Sequence, residues 1–388
     1  MTSYKHLFSR ALAAAPGRLH FAAHSHHLWP DATRDAHLAA WDDAARLADH
    51  KWDKVFGEIW PQAQANAARA LNLPSPDTIV FAPNTHELVF RMISAMPARP
   101  VRILTTDEEF HSFRRQSARL VESGAATLDI VRVEPFADFA ERFLAAAAGG
   151  AHDLVYVSHV FFKSGRVFDR AFELARLARP EGPWIAVDGY HGFMAIPTDL
   201  AAVAGRLFYI AGGYKYAMAG EGAAFMHAPP GFGPRPVHSG WFAEFGELTG
   251  PPGGVGYTAD AGRFMGATFD PSGLARFNAV FAMLVREGID ANAALAHVAP
   301  LQEKFLDAVA AGRCGRLAEA TLLAPRERTP RARFLAFRHK DAGRWCAALD
   351  EAGVVTDFRD DVLRIGFALY HDAEDVERLC AVAARVLT

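Results

Sequence analysis

Between residues 78 and 227 the chain alternates short apolar runs with amphipathic segments, and this rhythm constrains its fold more than any other feature. The runs are Thr78–Phe81, Val101–Leu104, Leu128–Val133, Leu154–Ser158, Trp184–Val187, Leu207–Ala211 and Ala223–His227. Segments 86–96, 111–122, 136–148 and 168–178 lie between most of them and carry helical patterns. Strands alternating with helices predict the α/β class, with a mostly parallel, doubly wound sheet. Ahead of the first strand, residues 32–72 read as helices because apolar residues recur there at three- and four-residue spacing. Residues 228–270 break the rhythm: Pro229, Pro230, Pro234, Pro236, Pro251 and Pro252 sit among glycines. So long an irregular excursion is expected to be functional or to cover a neighbouring subunit. From 272 onward, helices 272–287 and 290–311 lead into strands near Arg333–Phe337, Val354–Asp357 and Val362–Phe367, with helices at 341–352 and 373–386. The expected organisation is a large domain over 1–271 and a smaller α+β C-terminal domain over 272–388.

Composition narrows the function classes. The 29 Phe and 7 Trp among 388 residues are ample for a large core. A net charge of −3 leaves no basic excess for a phosphate backbone, so nucleic acid is excluded as an expected partner. No apolar run reaches the roughly 18 residues that a membrane helix needs. The opening Met1–Arg10 lacks the apolar stretch of a signal peptide. Cys314, Cys346 and Cys380 are odd in number and lack CxxC spacing, which argues against a disulfide framework or a zinc knuckle. The expectation is a cytoplasmic protein with reduced thiols and no membrane partner.

In an open α/β sheet, ligands sit at the carboxyl ends of the strands. Strand 184–187 runs into Asp188-Gly189-Tyr190-His191. Strand 207–211 runs into Gly212-Gly213-Tyr214-Lys215-Tyr216. Strand 78–81 runs through Asn84-Thr85-His86-Glu87 into a helix. An acid, a lysine and a helix N-terminus therefore gather at one sheet edge. Pyridoxal phosphate (PLP) requires that set: a lysine for the Schiff base, a carboxylate on the pyridine nitrogen, and an anion site for the phosphate. Asn84 with Glu87 three residues on has the form of a capping box, which leaves the N–H groups of Thr85 and His86 to face a phosphate. Taken singly, each signal has a plain structural explanation as a turn acid, a solvated loop lysine or an N-cap. Their conjunction carries the reading.

The segment Asp188-x-x-His191 followed by Gly-Gly-Tyr214-Lys215-Tyr216 resembles the class V aminotransferase family of fold-type-I PLP-dependent enzymes, and within it the kynureninase branch. Phe21-Ala-Ala-His24-Ser25-His26-His27-Leu28-Trp-Pro30, Glu109-Phe110-His111-Ser112, Gly240-Trp241-Phe242 and Leu363-Arg364-Ile365 are similar to further stretches of that family. The resemblance implies PLP as cofactor and an amino acid as substrate. It also implies transamination or β-carbon cleavage, and a homodimer with shared active sites. It implies Lys215 as the Schiff-base lysine, Asp188 on the pyridine nitrogen, and His191 at the ring's 3-oxygen or the phosphate. Phosphate binding falls to Thr85, beside Asn84 and His86, and to Tyr214. Phe110 would stack on the ring, with His111 as the alternative. Trp241 and Thr268 would reach the neighbouring subunit's site. Ser25 and Arg364 would meet the substrate, Arg364 as a carboxylate anchor, against a plain reading in which it faces solvent or pairs with Asp357, Asp360 or Asp361. Arg359 is its competitor, placed in a polar turn. His24-Ser25-His26 and Ala267-Thr268-Phe269-Asp270 depart from the kynureninase pattern, which would remodel the substrate side. Cys346 reads as a buried small hydrophobe on a helix, unlike the mobile nucleophilic cysteine of the desulfurase branch.

Two other functions compete. His24-x-His26-His27 is similar to the His-x-His opening of some metal-dependent hydrolases. A non-catalytic protein on the PLP fold is the third reading, opposed by the joint presence of Lys215 and Asp188. Gly254-x-Gly256-x-x-Ala259 mimics a dinucleotide fingerprint but follows Pro-Pro-Gly, not a strand. The basic run Arg326–Arg333 reads as a solvated loop.

Overall fold

The computed structural model describes residues 3–97, 99–247, 254–327 and 330–388, without the side chains of 245–247. Pro251, Pro252 and the Phe245 side chain of the excursion lie outside the described residues, as do Arg328 and Thr329 of the basic run.

All seven expected strands form one sheet: β1 (Ile79–Ala82), β2 (Val101–Thr106), β3 (Ala126–Val131), β4 (Leu154–Ser158), β5 (Trp184–Asp188), β6 (Phe208–Gly212) and β7 (Ala224–His227). Their order is β1-β7-β6-β5-β4-β2-β3. The strands all point one way except β7, which is antiparallel to both of its neighbours, β1 and β6. Every residue of β4 and β5 is buried, as a sheet covered on both faces requires. Helices Thr85–Ser94, His111–Glu122 and Phe139–Gly149 make three of the connections. The fourth expected helix winds as tighter 3₁₀ turns over Ala171–Leu177. The carboxyl ends of β1, β2, β4, β5 and β6 consequently open on one edge.

A second core centres on a four-stranded antiparallel sheet, ordered Asp357–Arg359, Val362–Gly366, Phe334–Arg338, Thr321–Leu322. Helices Ala291–Ala310, Ala342–Glu351 and Ala373–Val386 pack on it through residues such as Phe305, Trp345 and Leu379. The expected strand 354–357 divides, because Val354–Val355 leaves this sheet to pair in parallel with Leu19–His20. Packing ties elements across the expected 271/272 boundary. Helix Ser272–Glu287 commits Leu274, Phe277, Val280, Phe281 and Leu284 to the first core. The second core instead takes up Leu19 and Phe21 from the N-terminal segment and resumes at Val298.

The basic run is no solvated loop at its C-terminal end. Arg333 is 1% exposed, and its guanidinium donates to the carbonyls of Met194 and Ala195 in the large domain. A buried guanidinium is tolerated only where its donors find acceptors. These carbonyls belong to a turn in which Met194 adopts φ +60°. Arg331 and Arg326 pair with Glu303.

Candidate active site

The site is built from the strand ends. Asp188 closes β5, and burial raises its carboxyl pKa, opposed by hydrogen bonds and by Lys215. Tyr156 of β4 donates its hydroxyl to Asp188 Oδ2 at 3.0 Å, and the Tyr190 N–H reaches Oδ1 at 2.9 Å. Tyr156 is itself held by a parallel stack on Phe113 at 3.7 Å. Lys215 follows β6 after a turn in which the Ala219 N–H bonds the Gly213 carbonyl. A Cβ on Gly213 would stand 2.8 Å from that of Ala219, so a side chain there would open the turn.

Lys215 is buried, and its Nζ donates to the His24 carbonyl at 2.7 Å. The amine lies 5.9 Å from the ring centres of both Phe110 and Tyr190. Burial and then the Arg364 charge lower its pKa from 10.5 to about 7, against the opposing pull of Asp357 and Asp188. At neutral pH this lysine is therefore a nucleophile, where an exposed one is an ammonium. His191 is also buried; its Nε2 has no hydrogen-bond partner among the described residues. Burial, with Lys215, Arg364 and His24 nearby, holds its imidazole neutral.

Phe110 precedes helix His111–Glu122 and packs edge-on against Phe162 at 5.7 Å. His111 meets the same ring at 5.1 Å. Asn84 caps helix Thr85–Ser94 by accepting the Glu87 N–H at 3.0 Å. The capping box is only half made, because the Glu87 carboxylate turns along the helix to pair with Arg91. The first N–H groups of this helix, at Thr85 and His86, precede its internal hydrogen bonding. His86 shares a cleft of about 1150 Å³ with Thr105, Thr106, His111 and Ser112. The Tyr214 hydroxyl is 3.0 Å from His26 Nδ1.

Arg364 is 2% exposed, which corrects the solvent-facing reading. Its Nε donates to Asp357 Oδ1 at 2.7 Å, its Nη2 to Asp357 Oδ2 and its Nη1 to the Phe162 carbonyl. Arg359 lies on a short strand, with its guanidinium 3.4 Å from Asp357. Ser25 sits half-buried in the turn beside His24. Thr268 lines a different cleft of about 290 Å³ with Pro83, Glu87 and Arg91. Trp241 stacks on Phe242 at 4.1 Å and is 45% exposed.

The histidines proposed as metal ligands disperse. His24 Nε2 bonds Asp357 at 2.9 Å, His26 turns to Tyr214, and His27 Nδ1 bonds the Leu28 carbonyl at 2.6 Å. Among the described residues no group of three His, Cys, Asp or Glu side chains could hold a metal. Sequence reasoning assigned no role to Glu109, which is fully buried and accepts from Thr106 Oγ1 at 2.7 Å and Ser158 N at 3.1 Å. Its only sequence signal was an acid directly before the expected ring-stacking aromatic.

The sheet order, with an acid ending β5 and a buried lysine just past β6, defines the class: the chain has the fold of the fold-type-I PLP-dependent enzymes. A C-DES mutant with glycine covalently linked to its PLP cofactor superposes with a TM-score of 0.84 at 19% identity, covering 99% of this chain and 100% of that one. A cysteine desulfurase of Escherichia coli gives 0.77 at 18% identity over 99% of this chain and 97% of that one. Residues 297–383 match the Kynureninase C-terminal domain. A kynureninase of Pseudomonas fluorescens is 30% identical over an alignment of 228 positions that covers 55% of this chain and 51% of that protein. The match thus spans about half the length of this curated relative. The class V resemblance read from the sequence, with its kynureninase leaning, is borne out.

Proposed function

We propose that the protein is a PLP-dependent enzyme of the kynureninase-like kind, which carries the cofactor on Lys215 and cleaves an amino acid at its β-carbon. The observation that carries this is the buried Lys215, partly neutral at pH 7, with the Asp188 carboxylate at the end of the neighbouring strand. The residues present fit the cofactor. Asp188 accepts one protein donor on each oxygen and keeps capacity for a ring N–H. The Nε2 of buried His191, which has no partner among the described residues, would supply a further polar contact. Lys215 would hold PLP covalently, Asp188 its pyridine nitrogen, and Phe110 one face of its ring. Asn84, Thr85, His86 and Tyr214 would hold the phosphate, helped by Trp241 and Thr268 of a second copy in a homodimer. When bound, PLP supplies an electron sink that makes the bonds at a substrate's α-carbon labile. Lys215 takes and returns the α-proton, which an amine titrating near neutrality does well. Arg364 and Ser25 face the substrate.

A persulfide-forming desulfurase reading is disfavoured by Cys346. It sits half-buried on helix Ala342–Glu351, and burial raises its thiol pKa, so it is a poor nucleophile. The purified full-length protein should absorb at about 420 nm once loaded with PLP. Borohydride reduction and peptide mapping should then place the pyridoxyl label on Lys215. A screen of amino acids should release alanine, by hydrolysis of the Cβ–Cγ bond, from those carrying an acyl group on the β-carbon. Label on another lysine, or release of 2-oxo acid without a cleavage product, overturns the reading.

A further inference from the structure

The Asp357 carboxylate is shared by three groups on the proposed substrate side: Arg364, Arg359 and His24. It lies on strand Asp357–Arg359 of the small domain, opposite Arg364 in register. Oδ1 takes Nε–H of Arg364 at 2.7 Å and lies 2.9 Å from His24 Nε2. Oδ2 takes Nη2–H of Arg364 and has the Arg359 guanidinium at 3.4 Å. His24 is in turn the residue whose carbonyl receives the Lys215 amine, and its ring is stacked on Phe334 at 4.7 Å. A guanidinium has five N–H donors in a fixed plane. Asp357 takes the edge made by Nε and Nη2, and Phe162 takes one donor of Nη1, so the described residues leave two donors of Arg364 without a protein acceptor.

We infer that Asp357 is a positioning residue: it grips one edge of Arg364 so that the remaining donors are presented to a substrate carboxylate, while its other contact fixes His24 and hence the resting place of Lys215. The alternative geometry is a competitor, an internal carboxylate that occupies the fork and must be displaced. Two features favour the grip. Arg364 is wedged between the rings of Phe162 and Phe334, with its guanidinium carbon 5.9 and 5.8 Å from their centres, which limits its swing away from Asp357. Removing Asp357 would also leave the buried Arg364 without the carboxylate that it shares with Arg359, a costly change at low solvent access.

The inference rests on the proposed function only through the substrate's carboxylate, and its test separates the two. PLP-loaded Asp357→Asn keeps the shape and removes the charge. It should still load PLP and show a visible band, and a spectral titration with an α-amino acid should give a Kd raised about tenfold or more. A primary amine lacking a carboxylate should bind both proteins equally. Because Asp357 acts through Arg364, the penalties of Asp357→Asn and Arg364→Lys should be strongly non-additive in a double-mutant cycle. Asp357→Glu, which restores the charge, should recover part of the affinity. Tighter amino-acid binding by Asp357→Asn would make Asp357 a competitor and overturn the inference, as would unchanged or fully additive effects, or equal losses for the amine. Should Asp357→Asn fail to fold, the Asp357→Glu titration and its cycle with Arg364→Lys decide by the same criteria. Absence of any PLP band in the wild type sinks the proposed function instead.

Discussion

Reactivity at Lys215 should titrate with a midpoint of about 7, not at the 10.5 of a free lysine. The displacement follows from burial first and the neighbouring Arg364 charge second, with Asp357 and Asp188 pulling the other way. At pH 7 about half of the amine is then neutral, against roughly 3 in 10⁴ for an exposed lysine, an advantage of about 10³-fold. A small amine-acylating reagent applied to the cofactor-free protein, with the modified peptide quantified by mass spectrometry, measures this directly. The labelling rate at Lys215 should rise through about pH 7 and level off above it, while exposed lysines keep accelerating. Arg364→Met removes the cation and leaves Asp357 less compensated. Both changes favour the ammonium, so the midpoint should move up by about one unit or more. Stability follows the same linkage. Between pH 7 and 10.5 the unfolded chain holds more protons at this residue than the folded one, so raising the pH through that window should stabilise the fold, and Lys215→Met should abolish that contribution. A wild-type midpoint near 10, or a downward shift in Arg364→Met, would refute the electrostatic reasoning.

Glu109 titrates the opposite way. Burial pushes its carboxyl up to about 8, so between its ordinary 4.5 and 8 the folded state holds the extra proton and stability should decline as pH rises. Glu109→Gln should flatten that decline in thermal melts taken from pH 5 to 8. Parallel wild-type and variant curves would count against it. Cys346→Ser should change turnover of sulfur-containing and sulfur-free amino acids by less than about twofold, since its thiol is held protonated on a helix. Loss of activity on the sulfur compounds alone would restore the desulfurase reading.

What the sequence exposes and what it hides follow from the range of the interactions. The seven strands were legible because a parallel sheet covered on both faces demands continuous apolar runs, and the sequence writes Leu154–Ser158 and Trp184–Val187 as such runs. Asp188 and Lys215 were legible because topology sends the ends of neighbouring strands to one edge, so two local motifs imply one site. Charge partnerships that cross between domains were not. Nothing local marks Arg333 as a buried donor to Met194 and Ala195 across 138 or more residues of chain, and the Glu and Pro around it read as solvent. Arg364 shows the same limit from the other side. Its mid-strand position fits outward exposure or inward function equally well, and Asp357 is only one of three nearby acids. Register decides between them, because antiparallel pairing sets Asp357 directly across from Arg364, while Asp360 and Asp361 sit at the turn, where both face Lys163. The acid that matters is thus the one the hairpin aligns, and a hairpin's register depends on its turn. Here that turn includes Asp360 at φ +53°, a conformation that acidic and amide side chains adopt more readily than most.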